Sequence, residues 1–448
     1  MKLKSLTGFF LCWILGLGFL SAQRFFLPEQ VKSERISFEF LNNLILIPVE
    51  VNGTELTFVL DSGVGKPLLF NMMGKDSIEV RNVSEVQIKG LGDGEAITAL
   101  KSLGNGFRIG EATNFNQELF VVMDEALNFS PALGVPVHGI IGYDLFRDFV
   151  VEINYSNKYL KLHNPKFYKP KRKKKDVSLV LDIKNTKAFL NAEVLLEEGK
   201  NVPVKLLIDT GSSDALWLFN QPEKGLLVPD KNYEDFLGRG LSGDVFGKRT
   251  KINGVKIARF EMFDAKVAFP HRESLTFLKN YGSRNGSIGG ELLKRFNVVF
   301  DYGNHTMTLR KNGNFNTPFE YNLSGIDLQH NGIRYISERI ANIISVPIGN
   351  KERGNTAIGS AQMVSPTRTK ISVVPEIVIS AIRAGSPAEE VGLRKGDVIL
   401  EVNGKQVHQY KLQEIIKMIN AKKGKRVKLL IERYNRDLLF SFVLKELF

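Results

Sequence analysis

Two aspartates in short glycine-containing turns are the residues of this chain best suited to chemistry. Asp61 follows an apolar run, Thr57–Leu60, and opens the turn Asp61-Ser62-Gly63. Asp209 follows Val204–Ile208 and opens Asp209-Thr210-Gly211. A carboxylate at the tip of a buried strand costs free energy unless hydrogen bonds or a second group compensate. Two such groups about 3 Å apart cannot both ionise, so a pair of them shares a proton. The ionised partner can activate a water while the protonated one polarises a carbonyl, so one site holds both a base and an acid. Gly63 and Gly211 allow a tight backbone turn behind each carboxylate. Ser62 and Thr210 supply hydroxyls able to bind the opposite loop and hold the pair coplanar.

Such a pair needs two loops that meet face to face, and the chain is built as a repeat that supplies them. Before Asp61 runs LILIPVEVNGTELTFVL, and before Asp209 runs FLNAEVLLEEGKNVPVKLLI; each reads as strand, hairpin, strand. Gly90 lies 29 positions after Asp61, and Gly238 lies 29 after Asp209. Both open glycine-rich hairpins, Gly90-Leu91-Gly92-Asp93-Gly94 and Gly238-Arg239-Gly240-Leu241-Ser242-Gly243-Asp244. Gly142 lies 81 positions after Asp61 and Gly289 lies 80 after Asp209, in HGIIGYDLFRDFVVEINY and NGSIGGELLKRFNVVFDY. Four features in one order at near-equal offsets make an internal repeat of 148 residues, which removes chance as the source of the two aspartates.

Both repeats read as β-rich, with short Val/Ile/Leu/Phe runs between Asn and Gly turns. Tyr143–Phe149 and Glu291–Phe296 are the helix-like pieces inside them. The pattern changes after Thr317. Leu323–Ile326 opens a strand, a long polar insertion follows at about 333–375, and an amphipathic helix is expected over Lys411–Ala421, where Leu412, Ile415, Ile416 and Ile419 recur at helical spacing.

The chain has 448 residues, 43% of them apolar and 24% charged, enough for about three domains. Met1–Ala22 reads as an export signal: Lys2 and Lys4 precede a 13-residue apolar stretch, Gly8–Leu20, that is short for a membrane span. An uncleaved anchor is the other reading of that stretch. The one cysteine, Cys12, falls inside it, which leaves no disulfide, thiol nucleophile or cysteine metal site beyond it. Export without disulfides leans toward a bacterial envelope, periplasmic or extracellular. The net charge of +13 is concentrated in Pro165–Lys175, PKFYKPKRKKK. This run reads as a solvated linker between the repeats, and Lys169–Lys175 are also candidates for contact with anionic surfaces or for processing. The chain shows no folded nucleic-acid module, so nucleic acid is not expected as a partner.

At the two turns, the glycine-rich hairpins, and the Ile140-Ile141-Gly142 and Ser287-Ile288-Gly289 segments, the chain resembles the retropepsin/pepsin class of aspartic peptidases, most of all bacterial retropepsin-like proteins with two lobes fused in one chain. The third region resembles a bacterial PDZ domain through Gly385-Ser386-Pro387-Ala388, Gly392-Leu393-Arg394-Lys395-Gly396-Asp397-Val398-Ile399 and Val402-Asn403-Gly404. The resemblances imply a mainly β chain: two pseudo-symmetric retropepsin/pepsin-like lobes followed by an α+β PDZ domain. The boundaries expected are signal 1–22, lobe 1 at 23–164, linker 165–176, lobe 2 at 177–317, and PDZ domain 318–448. They imply an exported aspartic endopeptidase with Asp61 and Asp209 catalytic, Ser62, Gly63, Thr210 and Gly211 in support, and Gly90, Gly92, Gly94, Gly240 and Gly243 in flaps that close over a polypeptide. Leu323, Ser324, Gly325 and Ile326 would receive the C-terminal carboxylate of a peptide or protein.

Some residues depart from the pattern: Val64-Gly65 replaces a small-polar pair, Ser287 replaces an apolar residue, and Asp93 and Glu95 in the first flap are expected to raise the pair's pKa. No cofactor or metal is implied. His138, His163, His271, His305, His330 and His408 are scattered without metal spacing, and neither Gly-Asp-Ser-Gly nor Gly-X-Ser-X-Gly occurs. The alternative of a different class is an inactive peptide-binding adaptor on a peptidase-like scaffold.

Overall fold

The two repeats fold into sheets of the same strand order. In the computed structural model, which describes residues 24–72, 77–124, 127–170, 173–196, 199–275, 284–340, 343–348, 359–364 and 368–445, each repeat builds an eight-stranded mixed sheet. The first runs in the order Glu39–Leu41, Leu44–Val51, Thr54–Leu60, Gly139–Ile141, Leu68–Leu69, Ala112–Val121, Ile97–Ile109, Ser84–Ile88. The second repeats it as Asp182–Lys184, Lys187–Leu195, Asn201–Ile208, Gly286–Ile288, Leu216–Leu218, Phe260–Pro270, Gly243–Ile257, Asn232–Gly240. The strand that delivers each aspartate is therefore central, and it pairs in parallel with the strand ending at Gly142 or Gly289: Leu60 opposite Ile141, and Ile208 opposite Ile288.

Central position explains the sequence. A strand covered on both faces is apolar at almost every position, as in Phe58-Val59-Leu60 and Leu206-Leu207-Ile208, all buried. Outer strands such as Ser84–Ile88 are exposed or half-buried and more polar. The short helices Tyr143–Asp148 and Gly290–Leu293 follow the parallel strands, and they press Leu145, Phe146, Leu292 and Leu293 into the core.

A third sheet joins the repeats, with six strands in the order Ser33–Ser37, Tyr159–His163, Val150–Asn154, Phe296–Asp301, Thr306–Lys311, Val177–Val180. Its middle pairing is antiparallel across the pseudo-twofold, with Val151 opposite Phe300 and Ile153 opposite Val298. One hydrophobic core runs through both lobes, with Phe58, Leu60 and Phe146 on one side and Ile208, Leu292 and Phe300 on the other. Full burial of each such side chain stabilises the fold by roughly 1.5–3 kcal/mol.

The first compact unit extends to Tyr321, and the second begins at Asn322. Residues 315–320 are held by lobe 2. Arg295 Nη1 donates to the carbonyls of Phe315 (3.0 Å) and Thr317 (2.5 Å), and the Glu320 N–H donates to Glu291 Oε1 (2.8 Å). The expected signal, residues 1–22, and its Cys12 lie outside the described residues. At the end of the basic stretch, Lys175 lines a small surface cavity with Arg259, Phe260 and Lys311.

The second unit is α+β. Its main sheet runs Ile326–Ile340, Arg368–Ile382, Val398–Val402, Arg426–Arg433, Arg436–Val443, with Lys405–Gln406 beside Val398–Val402. The expected helix is present as Leu412–Ile419, with Leu412, Ile415 and Ile419 buried. The polar stretch at 333–375 is not a loop where it is described. Ile326–Ile340 and Arg368–Ile382 pair as a long ribbon with register shifts at Asp327/Leu328 and His330/Ile333, and Ile343–Ile348 pairs with Gly359–Val364.

Candidate active site

Each aspartate loop is fixed by its own lobe and then cross-braced by the other. The Asp61 N–H donates to the Ile141 carbonyl (2.8 Å), and the Asp209 N–H to that of Ile288 (3.0 Å). Across the seam, the Ser62 N–H donates to Thr210 Oγ1 (2.9 Å) and the Thr210 N–H to Ser62 Oγ (3.1 Å). Each hydroxyl then donates to the strand carbonyl of the opposite lobe: Ser62 Oγ to Ile208 O and Thr210 Oγ1 to Leu60 O, both 2.7 Å. Ser62 and Thr210 are each 1% exposed, so these four bonds are shielded from water.

The brace sets the carboxyls side by side. The Gly63 N–H donates to Asp61 Oδ1 (2.6 Å), and the Gly211 N–H to Asp209 Oδ1 (3.2 Å). A Cβ on Gly211 would lie 2.3 Å from Asp61 Cγ, and one on Gly63 would lie 3.4 Å from Asp209 Cγ. Each carboxyl therefore packs on the opposite glycine, and a side chain at 211 would displace it. The structure brings together Asp61, Asp209, Ser62, Gly63, Thr210 and Gly211 at the seam.

Burial raises the pKa of both carboxyls. For Asp61 the charge of Asp209 adds to burial and takes it to about 7, against the Gly63 N–H and Lys187, which lower it. Asp209 is also raised by burial, and Arg284 and Lys187 oppose the rise. The pair thus keeps a proton into the neutral range. Asp93 and Glu95, expected to contribute, are exposed at the flap tip and are not among the causes. A proton-sharing carboxyl pair can accept a proton from one bound group and donate one to another.

Lys187 and Arg284 were not legible as site residues. Lys187 follows the turn Asn185-Thr186, which reaches across to the Asp61 loop: a Cβ on Gly65 would lie 2.7 Å from Thr186 Oγ1, which accounts for glycine at that departure from the family pattern. The matching turn of lobe 1 reaches the other way, with Asn43 Nδ2 donating to Ser213 O (2.9 Å). Arg284 is 7% exposed, donates from Nε to Gly286 O (2.8 Å) and lies over the Phe219 ring. A further buried network backs the Asp209 loop. Asp214 accepts from Trp217 Nε1 (2.7 Å) and from Arg249 Nη1 (2.6 Å), and Arg249 Nε donates to Asp235 (2.6 Å) in the flap strand. Burial pushes Asp214 up, but Arg249, then Lys266, outweigh it and hold the carboxyl below its usual range.

The flap hairpins close on each other at their tips. The Ser242 N–H donates to Leu91 O (2.9 Å), the Gly94 N–H to Ser242 O (2.7 Å), and the Gly90 N–H to Ser242 Oγ (3.1 Å). Leu91 packs against Trp217, Leu237, Val245 and Ala268 of lobe 2, while Leu241 packs into the apolar cluster of lobe 1. A Cβ on Gly240 would lie 2.2 Å from Leu91 O, so the approach requires glycine. Gly92 and Gly243 sit at the same contact with φ of +120° and +114°.

In the second unit, Leu323, Ser324, Gly325 and Ile326 form a turn leading into the edge strand. Three of its amides already have acceptors: Asn420 Oδ1 for Ser324 (2.9 Å), Asn322 Oδ1 for Gly325 (2.9 Å) and Ser324 Oγ for Ile326 (3.2 Å). Nothing in the sequence marks these two asparagines as caps. No group of His, Cys, Asp and Glu among the described residues could hold a metal ion. No helix among them is long and apolar enough to cross a membrane.

Comparison with known proteins adds names to this geometry. Residues 378–433 match the PDZ domain family, and residues 47–145 match a family described as aspartyl protease. Each match covers less than half of the chain. A carboxy-terminal processing protease, CtpA of Bacillus subtilis (strain 168), is 43% identical over 58 residues, which are 13% of this chain and 12% of that protein. A probable CtpA-like serine protease of Staphylococcus aureus (strain COL) is 38% identical over 62 residues, 14% of this chain and 12% of the relative. The chain thus spans about an eighth of the length of these relatives.

Their names correct the class expected from the two turns. They are processing and serine proteases, not retropepsins or pepsins, so the chain as a whole is not assigned to the retropepsin-like aspartic endopeptidases. The findings lend nothing to the inactive adaptor either. What they support is a mainly β chain in which two similarly built lobes, carrying a protease-like domain, precede a PDZ domain.

Proposed function

We propose that this chain is a protease that acts on polypeptides and uses its PDZ domain to hold them. The observation that carries the reading is the lobe seam, where a cross-braced carboxyl pair with raised pKa lies in a protease-like domain roofed by two hairpins. Asp61 and Asp209 are the site's proton-handling residues, with Ser62, Gly63, Thr210 and Gly211 holding them and Gly90, Gly92, Gly94, Gly240 and Gly243 letting the roof close. The work is done outside the cytoplasm, in the periplasm or beyond, as the N-terminal stretch suggests.

For the class of chemistry, the relatives' names favour the serine type over a carboxyl-pair hydrolase. Ser62, the serine nearest the pair in sequence, is buried and its hydroxyl is committed to Ile208 O and the Thr210 N–H. The test is hydrolysis of a chemically unfolded, fluorescently labelled protein by wild type and by Asp209→Asn, with a fluorophosphonate probe run on both. Labelling of a serine by the probe is the result that the relatives' names favour. Wild-type rates in the variant remove the pair from the reaction, a probe-labelled serine assigns the serine type, and an inert wild type ends the protease reading.

A further inference from the structure

We propose that Asn322 and Asn420 determine the ligand class of the PDZ groove: their side-chain carbonyls hold the amides of the Ser324–Ile326 turn, so the groove takes an internal extended segment of a polypeptide and not a free C-terminus. This rests on the reading of the PDZ domain as the peptide-holding part.

A terminal carboxylate is captured by a cluster of backbone N–H groups. Here the three amides of Ser324–Ile326 are spoken for, two by asparagine Oδ1 atoms at 2.9 Å and the third by Ser324 Oγ at 3.2 Å. The caps are themselves anchored. Asn322 Nδ2 donates to Ile326 O (3.1 Å) and to Asp327 Oδ1 (3.0 Å), and Asn420 Nδ2 donates to Ile416 O (3.1 Å) one turn back in the helix Leu412–Ile419. Ser324 Oγ lies within hydrogen-bond reach of both Oδ1 atoms, and Ser324 is fully buried.

An arriving carboxylate must displace two anchored caps and does so beside the Asp327 charge. The neighbouring cation, Arg383, directs Nη1 to the Asn322 backbone carbonyl (2.8 Å). A passing strand meets no such obstacle. Ile326–Ile340 is the edge strand of its sheet and lies beside the helix Leu412–Ile419, so an extended segment can pair along it without using the turn amides.

The test uses the full chain and two pools of randomised decapeptides, identical except for a C-terminal carboxylate or carboxamide. Peptides selected from either pool are resynthesised in both forms and their Kd values compared. In wild type the two forms should bind within about twofold of each other. In Asn420→Ala the freed amide should make the carboxylate form about tenfold tighter, since charge-assisted bonds outweigh neutral ones. Asn420→Asp keeps an acceptor in place and adds a negative charge, so there the carboxylate form should gain nothing on the carboxamide form. A wild-type preference of about tenfold for the carboxylate form overturns the proposal. An unchanged ratio in Asn420→Ala, or no binding of either pool, overturns it as well. Hydrolysis of unfolded protein is read separately: selected peptides that bind to a chain without activity leave this inference standing while the protease reading fails, and activity without peptide binding does the reverse.

Discussion

Thr210→Val tests the brace that sets the carboxyl pair. Valine keeps the side chain's shape and β-branching, so little cavity is created. What is lost is one oxygen that serves two buried backbone groups, accepting from the Ser62 N–H (2.9 Å) and donating to Leu60 O (2.7 Å). With Thr210 1% exposed, water cannot replace it. Each orphaned group costs about 1–3 kcal/mol, so the substitution should destabilise the lobes by roughly 2–6 kcal/mol. That is a large share of a typical total of about 5–15 kcal/mol. The chain's two tryptophans are Trp13 and Trp217, and Trp217 lies buried in lobe 2. Urea unfolding followed by its fluorescence therefore reports on the unit that carries the brace. Ser62→Ala orphans the mirror-related groups, Ile208 O and the Thr210 N–H, and should cost a similar amount. The double variant should cost less than the sum, because loops that have parted no longer bury the orphaned groups. A loss below about 0.5 kcal/mol for Thr210→Val would refute the brace as a source of stability.

Arg249→Met leaves Asp214 and Asp235 without their shared cation, and breaking a buried pair on one side costs about 3–5 kcal/mol; the same urea experiment should show it. The raised pKa of Asp61 has a signed consequence. Folding holds its proton more tightly than the unfolded chain does, so the stability it contributes is full below about pH 4 and is lost as pH rises through about 7. Unfolding free energies of wild type minus Asp61→Asn should therefore fall between those values, and a flat difference would show that the carboxyl is not held protonated. Gly240→Val forces the flap tips apart at Leu91 O, and hydrogen exchange at the Ser242 and Gly94 amides should quicken while that of the Ser62 and Thr210 amides stays slow.

Much of this architecture is legible in the sequence because duplication writes it twice. The equal offsets of Gly90 and Gly238 locate both hairpin tips, and those of Gly142 and Gly289 locate the strands beside Asp61 and Asp209. Contacts that occur once leave no such trace. Asp214 and Arg249 are 35 positions apart with no period to link them, and neither Lys187 nor Arg284 advertises its place beside the pair. The ribbon at 333–375 was hidden because its apolar residues do not follow burial: Ile333, Tyr335, Ile371 and Val373 stand on the exposed face, while Arg334, Glu338 and Glu376 lie on the half-buried one. The two turns, the glycine-rich hairpins and the segments ending at Gly142 and Gly289 locate a pair of carboxyls and its roof, but they do not name an enzyme class, and the expected class rested on them. The asparagine caps on the Ser324–Ile326 turn went unseen because one of them, Asn420, comes from a helix end 96 positions away from Ser324.

The six-stranded sheet beneath the lobes has a bearing on maturation. Three of its strands come from before the lysine-rich stretch and three from after it, and its centre is the pairing of Val150–Asn154 with Phe296–Asp301. A nick between Pro165 and Lys175 would therefore yield two fragments that migrate as one species on a sizing column and come apart only in denaturant, leaving the seam intact.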